Sequence, residues 1–149
     1  MSASSPDVAF TISLSGGAAR LSQEALFSRL SREFLSDASL PGMEALLKRV
    51  RAAPANDYDW SQDFAAQASP GLWIYGLNDR SNPSQLCIEV IERVKQRYGK
   101  DFTLVSFAAG SHALMESDLG GKAEQLVLSK FVPFFVEIER WLEEKNLMP

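Results

Sequence analysis

Asp79 and His112 are the residues of this chain whose types and positions could do acid–base chemistry. Each follows a short apolar run. Asp79 comes after Leu72-Trp73-Ile74-Tyr75 and the break at Gly76; His112 comes after Phe102–Phe107 and the loop Ala108-Ala109-Gly110-Ser111. In open α/β sheets, reactive groups gather beyond the carboxyl ends of the strands. The two residues are 33 positions apart, the length of a strand–helix–strand unit, and adjacent strands lie ~4.8 Å apart. Their loops can therefore set a carboxylate against an imidazole. A carboxylate that accepts from one ring nitrogen fixes the tautomer and leaves the other nitrogen to act as base. Taken singly, each residue also has an ordinary reading. Asp in a Gly/Asn/Pro loop is a turn former, and a lone His after Gly-Ser is a surface or capping residue.

The elements that must position this pair read as follows. Val8, Phe10, Ile12 and Leu14 alternate with smaller residues and predict a strand over 8–14, closed by Ser15-Gly16-Gly17. Leu26, Phe27, Leu30 and Phe34 fall at helical spacing, as do Met43, Leu46, Leu47 and Val50 after Pro41-Gly42. Residues 52–70 are polar, Ala-rich and bounded by prolines, and predict a loop or weak helix. The continuous run at 72–75 is that of a strand buried on both faces of a parallel sheet. A helix then presents Cys87, Val90, Ile91, Val94 and Tyr98 on one side, and Gly99-Lys100-Asp101 turns the chain into Phe102–Phe107. Phe131, Phe134, Phe135, Ile138, Trp141 and Leu142 predict a closing helix with Pro133 in its first turn. The alternation implies an α/β fold, a parallel sheet of about three strands with flanking helices.

Composition narrows the function classes. The chain has 149 residues, 46% hydrophobic and 23% charged, which is globular composition at single-domain length. Fifteen Lys and Arg against nineteen Asp and Glu give a net charge of −4, with no basic patch, so nucleic acid is not an expected partner. One cysteine, Cys87, excludes an internal disulfide and reads as a buried small hydrophobe; one histidine excludes a zinc site built on several histidines. No apolar run approaches the ~18 residues of a membrane span, and Met1–Pro6 lacks the features of a signal peptide. Asp57, Asp59 and Asp63 are acidic enough to raise calcium, but Ser61 and Gln62 break the loop pattern and a solvated loop is expected. Ser15-Gly16-Gly17 matches neither phosphate-binding glycine motif, and no cofactor or metal is expected. Trp73 and Trp141 read as core; Trp60 reads as ordinary packing, with a pocket wall as the alternative.

Several of these segments, in this order, resemble a known family. Gly-Leu-Trp-Ile-Tyr-Gly-Leu-Asn-Asp-Arg-Ser-Asn-Pro over 71–83 is similar to the strand and acid loop of α/β-hydrolases, an apolar strand followed by G-x-x-D and a proline. Phe-Thr-Leu-Val-Ser-Phe-Ala-Ala-Gly-Ser-His-Ala-Leu over 102–114 resembles the family's last strand and histidine loop, and Phe131–Leu142 its closing helix. The dienelactone-hydrolase and prolyl-oligopeptidase-like group is nearest in character. The resemblance covers about residues 8–145 and is strongest over 70–142. It implies a serine hydrolase acting on an ester, thioester or peptide acyl bond, with Asp79 as triad acid and His112 as base. It also implies a nucleophile on a sharp strand-to-helix turn, G-x-S-x-G, upstream of the acid.

Ser13-Leu14-Ser15-Gly16-Gly17 offers Ser15 as that nucleophile, in the family's chain order. The competing alignment makes 8–19 the strand between nucleophile and acid, with 20–70 a helical cap-like connection and 71–145 the acid and histidine region. On that alignment the chain resembles the C-terminal half of the fold, Ser15 is a turn residue, and the nucleophile elbow and oxyanion donors precede Met1. The strand at 8–14 would then have an open edge, and association through it is expected, with a second copy or with a separate N-terminal half. The function class opposed to a hydrolase is a non-catalytic interaction module that keeps the fold. Substrate and compartment are not assigned by any motif.

Overall fold

The computed structural model describes residues 8–35, 42–54, 57–117 and 126–148, so Met1–Pro6 lies outside the described residues. Strand β1 (Thr11–Leu14) is shorter than the alternation at 8–14 predicts, because only these residues pair with a neighbour. Helices α1 (Leu21–Leu35), α2 (Met43–Ala52) and α3 (Ser61–Ala66) follow it. Strand β2 (Gly71–Gly76), helix α4 (Ser84–Tyr98) and strand β3 (Phe102–Phe107) then form the unit that separates Asp79 from His112. The chain ends in a hairpin, β4 (Met115–Ser117) with β5 (Leu126–Phe131), and helix α5 (Phe134–Glu144).

β2 is the axis. It is parallel to β1 on one side and to β3 on the other, with Trp73 beside Ser13 and Leu104, and Gly76 beside Phe107. All six of its residues are buried, because both faces of the sheet are covered. Successive side chains of a strand point to opposite faces. Trp73 and Tyr75 accordingly join Phe27, Leu46, Leu47, Val50, Cys87 and Ile91 in one core cluster. Leu72 and Ile74 join Trp141, Phe134 and Val132 in the other. The structure is thus mixed α/β with a three-stranded parallel sheet between helices.

Within 52–70, read as a loop or weak helix, Ser61–Ala66 forms the short helix α3, whose Phe64 packs edge-on against Trp73 at 5.0 Å. Other segments differ from their sequence-based reading. Tyr98 is exposed rather than part of the buried face of α4. Leu14 is also exposed, while Phe10 and Ile12 pack on the Trp141 cluster. The side chain of Phe34 lies outside the described residues. Phe131 belongs to β5, opposite Met115, and Pro133 stands just before α5 rather than in its first turn. The hairpin itself was not expected. Trp73 and Trp141 are buried, and Trp60 is half-buried against Tyr58. Among the described residues β1 pairs on one side only, and no helix is long and apolar enough to cross a membrane.

One acidic group is carried into the first core. Glu24, in the first turn of α1, lies against the loop that follows β1: a Cβ on Gly17 would come within 2.6 Å of its Oε1. That oxygen is buried without a hydrogen-bond partner. Burial pushes the carboxyl up to about 7 from 4.5; the amides of Ala19 and Ala18 offset this only in part, and Asp57 adds to the rise. Folding therefore takes up a proton. The contribution of Glu24 to stability is whole below its unfolded value of 4.5 and is lost as pH rises through about 7. Glu24→Gln, which never ionises, should match the parent in urea unfolding at acid pH. At alkaline pH it should exceed the parent by about 2 kcal/mol, after allowance for partial solvent screening. Equal stabilities at both ends would refute the burial argument.

Candidate active site

The loops after β2 and β3 are built against each other by their backbones. Leu77 N–H donates to Phe107 O and Asn78 N–H to Gly110 O, both at 2.9 Å, extending the sheet pairing past the strand ends. This approach requires Gly76, where a Cβ would run into the carbonyls of Gly110 and Ser111. A Cβ on Gly110 would in turn lie 2.9 Å from the Gly76 Cα. Two glycines back to back are what bring the two loops together.

The acid loop then folds around its own carboxylate. Asp79 Oδ1 accepts the amides of Ser81 at 2.7 Å and Asn82 at 2.8 Å, as Asp does at turns. Oδ2 meets His112 Nδ1 at 2.8 Å and lies 3.5 Å from Ser84 Oγ. The Asp79 side chain has no exposed surface, whereas that of His112 is 53% exposed. An ionised carboxylate only accepts, so Nδ1 carries the proton and Nε2 is the basic nitrogen. Nε2 has no hydrogen-bond partner among the described residues.

The histidine loop is held equally firmly. Ser111 N–H donates to Met115 O at 2.9 Å, Leu114 N–H to Ser111 O at 3.0 Å, and Val132 N–H to Leu114 O at 2.9 Å. Leu114 is fully buried at φ 55°, a left-handed conformation that costs a branched residue about 1–2 kcal/mol. The unexpected hairpin thus anchors the turn that presents His112.

Ser15 stands elsewhere in this arrangement. It ends β1 at φ 50°, a conformation suited to a sharp turn, and its N–H donates to Ile74 O at 2.8 Å. Its carbonyl accepts from Asn82 Nδ2 at 3.0 Å, which ties the end of β1 to the acid loop. Its hydroxyl is buried without a hydrogen-bond partner and makes no hydrogen bond to His112. Ser111 Oγ accepts from Met115 N at 3.3 Å. Cys87 is a buried free thiol that burial pushes up to about 12, so it is not a thiolate at neutral pH. Among the described residues no hydroxyl or thiol hydrogen-bonds the imidazole. The acidic trio serves packing: Asp57 caps α1 through Ser22, Asp59 pairs with Arg20, and Asp63 accepts from Tyr58. No group of three or more metal-ligating side chains occurs among the described residues.

Sequence reasoning did not single out Asn82, Gly76 or Gly110. The Asn-Pro pair at 82–83 and the two loop glycines were visible only as turn formers. The glycine contact is directly testable. Gly76→Ala should fold less stably and part the two loops, so the downfield proton resonance of the His112 Nδ1–H···Asp79 bond disappears from the NMR spectrum. Its retention would show that the loops do not depend on that contact.

Comparison with protein-family models, with curated proteins and with solved structures finds no match to this chain, and its chemistry must be argued from the Asp79–His112 geometry.

Proposed function

We propose that this chain carries the acid and base of a serine-hydrolase-type centre within an α/β-hydrolase-like fold, acting on an ester, thioester or peptide acyl bond. The observation that carries the reading is the 2.8 Å contact between the wholly buried Asp79 carboxylate and Nδ1 of the half-exposed His112. In this scheme Nε2 takes the proton from a nucleophilic hydroxyl as it attacks the acyl carbon, then delivers it to the leaving group. Asp79 stays ionised, fixes the tautomer and stabilises the imidazolium.

In this proposal the nucleophile and the oxyanion donors are supplied by a separate N-terminal half that docks along the open edge of β1. Support for this comes from the burial of Ser15 Oγ and the absence of a described hydroxyl on His112. The same absence favours the second reading, an interaction module without chemistry. The substrate on either hydrolase reading is a small acyl ester or a peptide.

Activated-ester turnover separates these readings. The purified chain should hydrolyse p-nitrophenyl acetate slowly, through His112. His112→Ala should abolish the excess over buffer, and Asp79→Asn should reduce it about tenfold or more, since it disturbs the tautomer. A rate unchanged in His112→Ala would sink the acyl-transfer reading and leave the interaction module. A fluorophosphonate probe should leave Ser15 unlabelled. An adduct on Ser15 that vanishes in His112→Ala would instead make this chain a complete, compact hydrolase. With the β1 edge open, the chain should also associate in sedimentation velocity, and a clean monomer would count against a docking role for that edge.

A further inference from the structure

A concave site that the dyad does not line lies between the loop that opens α1, the end of α2, and α4. Its volume is about 290 Å³, and neither Asp79 nor His112 lines it. Three guanidiniums reach it from three different elements: Arg20 before α1, Arg51 in the last turn of α2, and Arg93 on α4. Asp59 and Glu89 are the acidic residues of the lining. Three cations against two anions leave one positive charge in excess, in a chain whose net charge is −4.

Two of the arginines are held in place. Arg20 Nη1 donates to Asp57 O at 2.6 Å and Nη2 pairs with Asp59 at 3.0 Å. Asp57 is itself anchored, accepting Ser22 N–H at 2.5 Å and Ser22 Oγ–H at 2.7 Å at the start of α1. Arg51 pairs with Glu89 of α4. Both ion pairs are partly exposed, between 34% and 46%, and such pairs are individually weak, so a guest anion replaces the resident carboxylates at small cost. Arg93 makes no hydrogen bond or close ion pair among the described residues, but its charge acts on Asp59 at longer range, adding to the Ser61 hydrogen bonds and to Arg20 in holding that carboxyl below its ordinary value. Its guanidinium donors are the ones left for a guest. A guanidinium presents a planar fork of donors that matches phosphate and carboxylate oxygens two at a time.

We infer that this cleft binds the phosphate of a small phosphomonoester, with Arg93 as its main ligand and Arg20 and Arg51 flanking it. The first charge of the phosphate answers the one positive charge in excess, and its second is met as Arg20 and Arg51 turn from Asp59 and Glu89 to the phosphate oxygens. Leu86 and Val90 supply an apolar wall for the rest of the molecule, and the volume stands at the lower end of small-molecule sites. The inference is independent of the acyl-transfer reading, because its residues and its ligand are different.

The test is titration of the intact chain with phenyl phosphate at low salt, followed by amide NMR. Saturable binding in the millimolar range or tighter is expected, with shifts at Ala18, Gln23, Leu86 and Val90. Arg93→Ala, a substitution of an exposed residue, should weaken binding about tenfold or more, and Arg93→Lys by less, because it keeps the charge and loses the fork. Inorganic phosphate should bind more weakly than phenyl phosphate. Absence of saturable binding, binding indifferent to Arg93→Ala, or shifts centred on Gly110–Leu114 would each overturn the assignment. Equal affinities for phenyl phosphate and inorganic phosphate would overturn its ester part.

Discussion

The Asp79 carboxylate has no exposed surface, and a carboxylate is tolerated there only because donors surround it. Two backbone amides of its own loop hold one oxygen and the imidazole of His112 holds the other. The same loop reaches β1, where Asn82 binds the carbonyl of Ser15. The carboxyl ends of all three parallel strands are thus tied through one turn: β2 covalently, β3 by the histidine and the Asn78–Gly110 bond, β1 by Asn82. Losing the carboxylate would leave several donors unanswered at once, which makes this turn a structural joint.

Strain collects around the same joint. Three described residues other than glycine have positive φ, and two of them lie in the segments beside the acid loop: Ser15 just after β1, and Leu114 in the histidine loop just before β4. Two buried hydroxyls without partners, Ser15 Oγ and Tyr75 Oη, belong to the same strand ends. Backbone strain and unsatisfied polar atoms persist only where surrounding packing over-determines them. Here the packing is the two-faced burial of β2, with Trp73 and Tyr75 on one side and Leu72 and Ile74 on the other. The rigid core supplies what the loops spend.

Much of the scaffold was legible because its signals are local. The all-apolar run at 72–75 announces a central strand, and Leu46, Leu47 and Val50 announce the buried face of α2. The 33-residue separation of Asp79 and His112 already implied adjacent parallel strands, and β2 and β3 are adjacent. Other elements were hidden because partners distant in the chain decide them. Phe131 sits at helical spacing from Phe134 and Phe135, yet pairing with Met115 makes it a strand residue. The six-residue α3 has little intrinsic stability, and its Phe64 is anchored on Trp73 from another element. Leu14 continues an apolar alternation but lies at the end of an edge strand and is exposed.

By itself the sequence determined the α/β alternation, the burial of the middle strand and the identity of the acid–imidazole pair, since periodicity and loop position are written in neighbouring residues. Only the tertiary structure decided that Gly76 and Gly110 meet, that Asn82 reaches Ser15, that the Ser15 hydroxyl is buried without a hydrogen-bond partner, and that Arg20, Arg51 and Arg93 share one cleft. Each of these depends on distances between segments far apart in the chain, and such distances are set by how helices and strands pack, which no local pattern records.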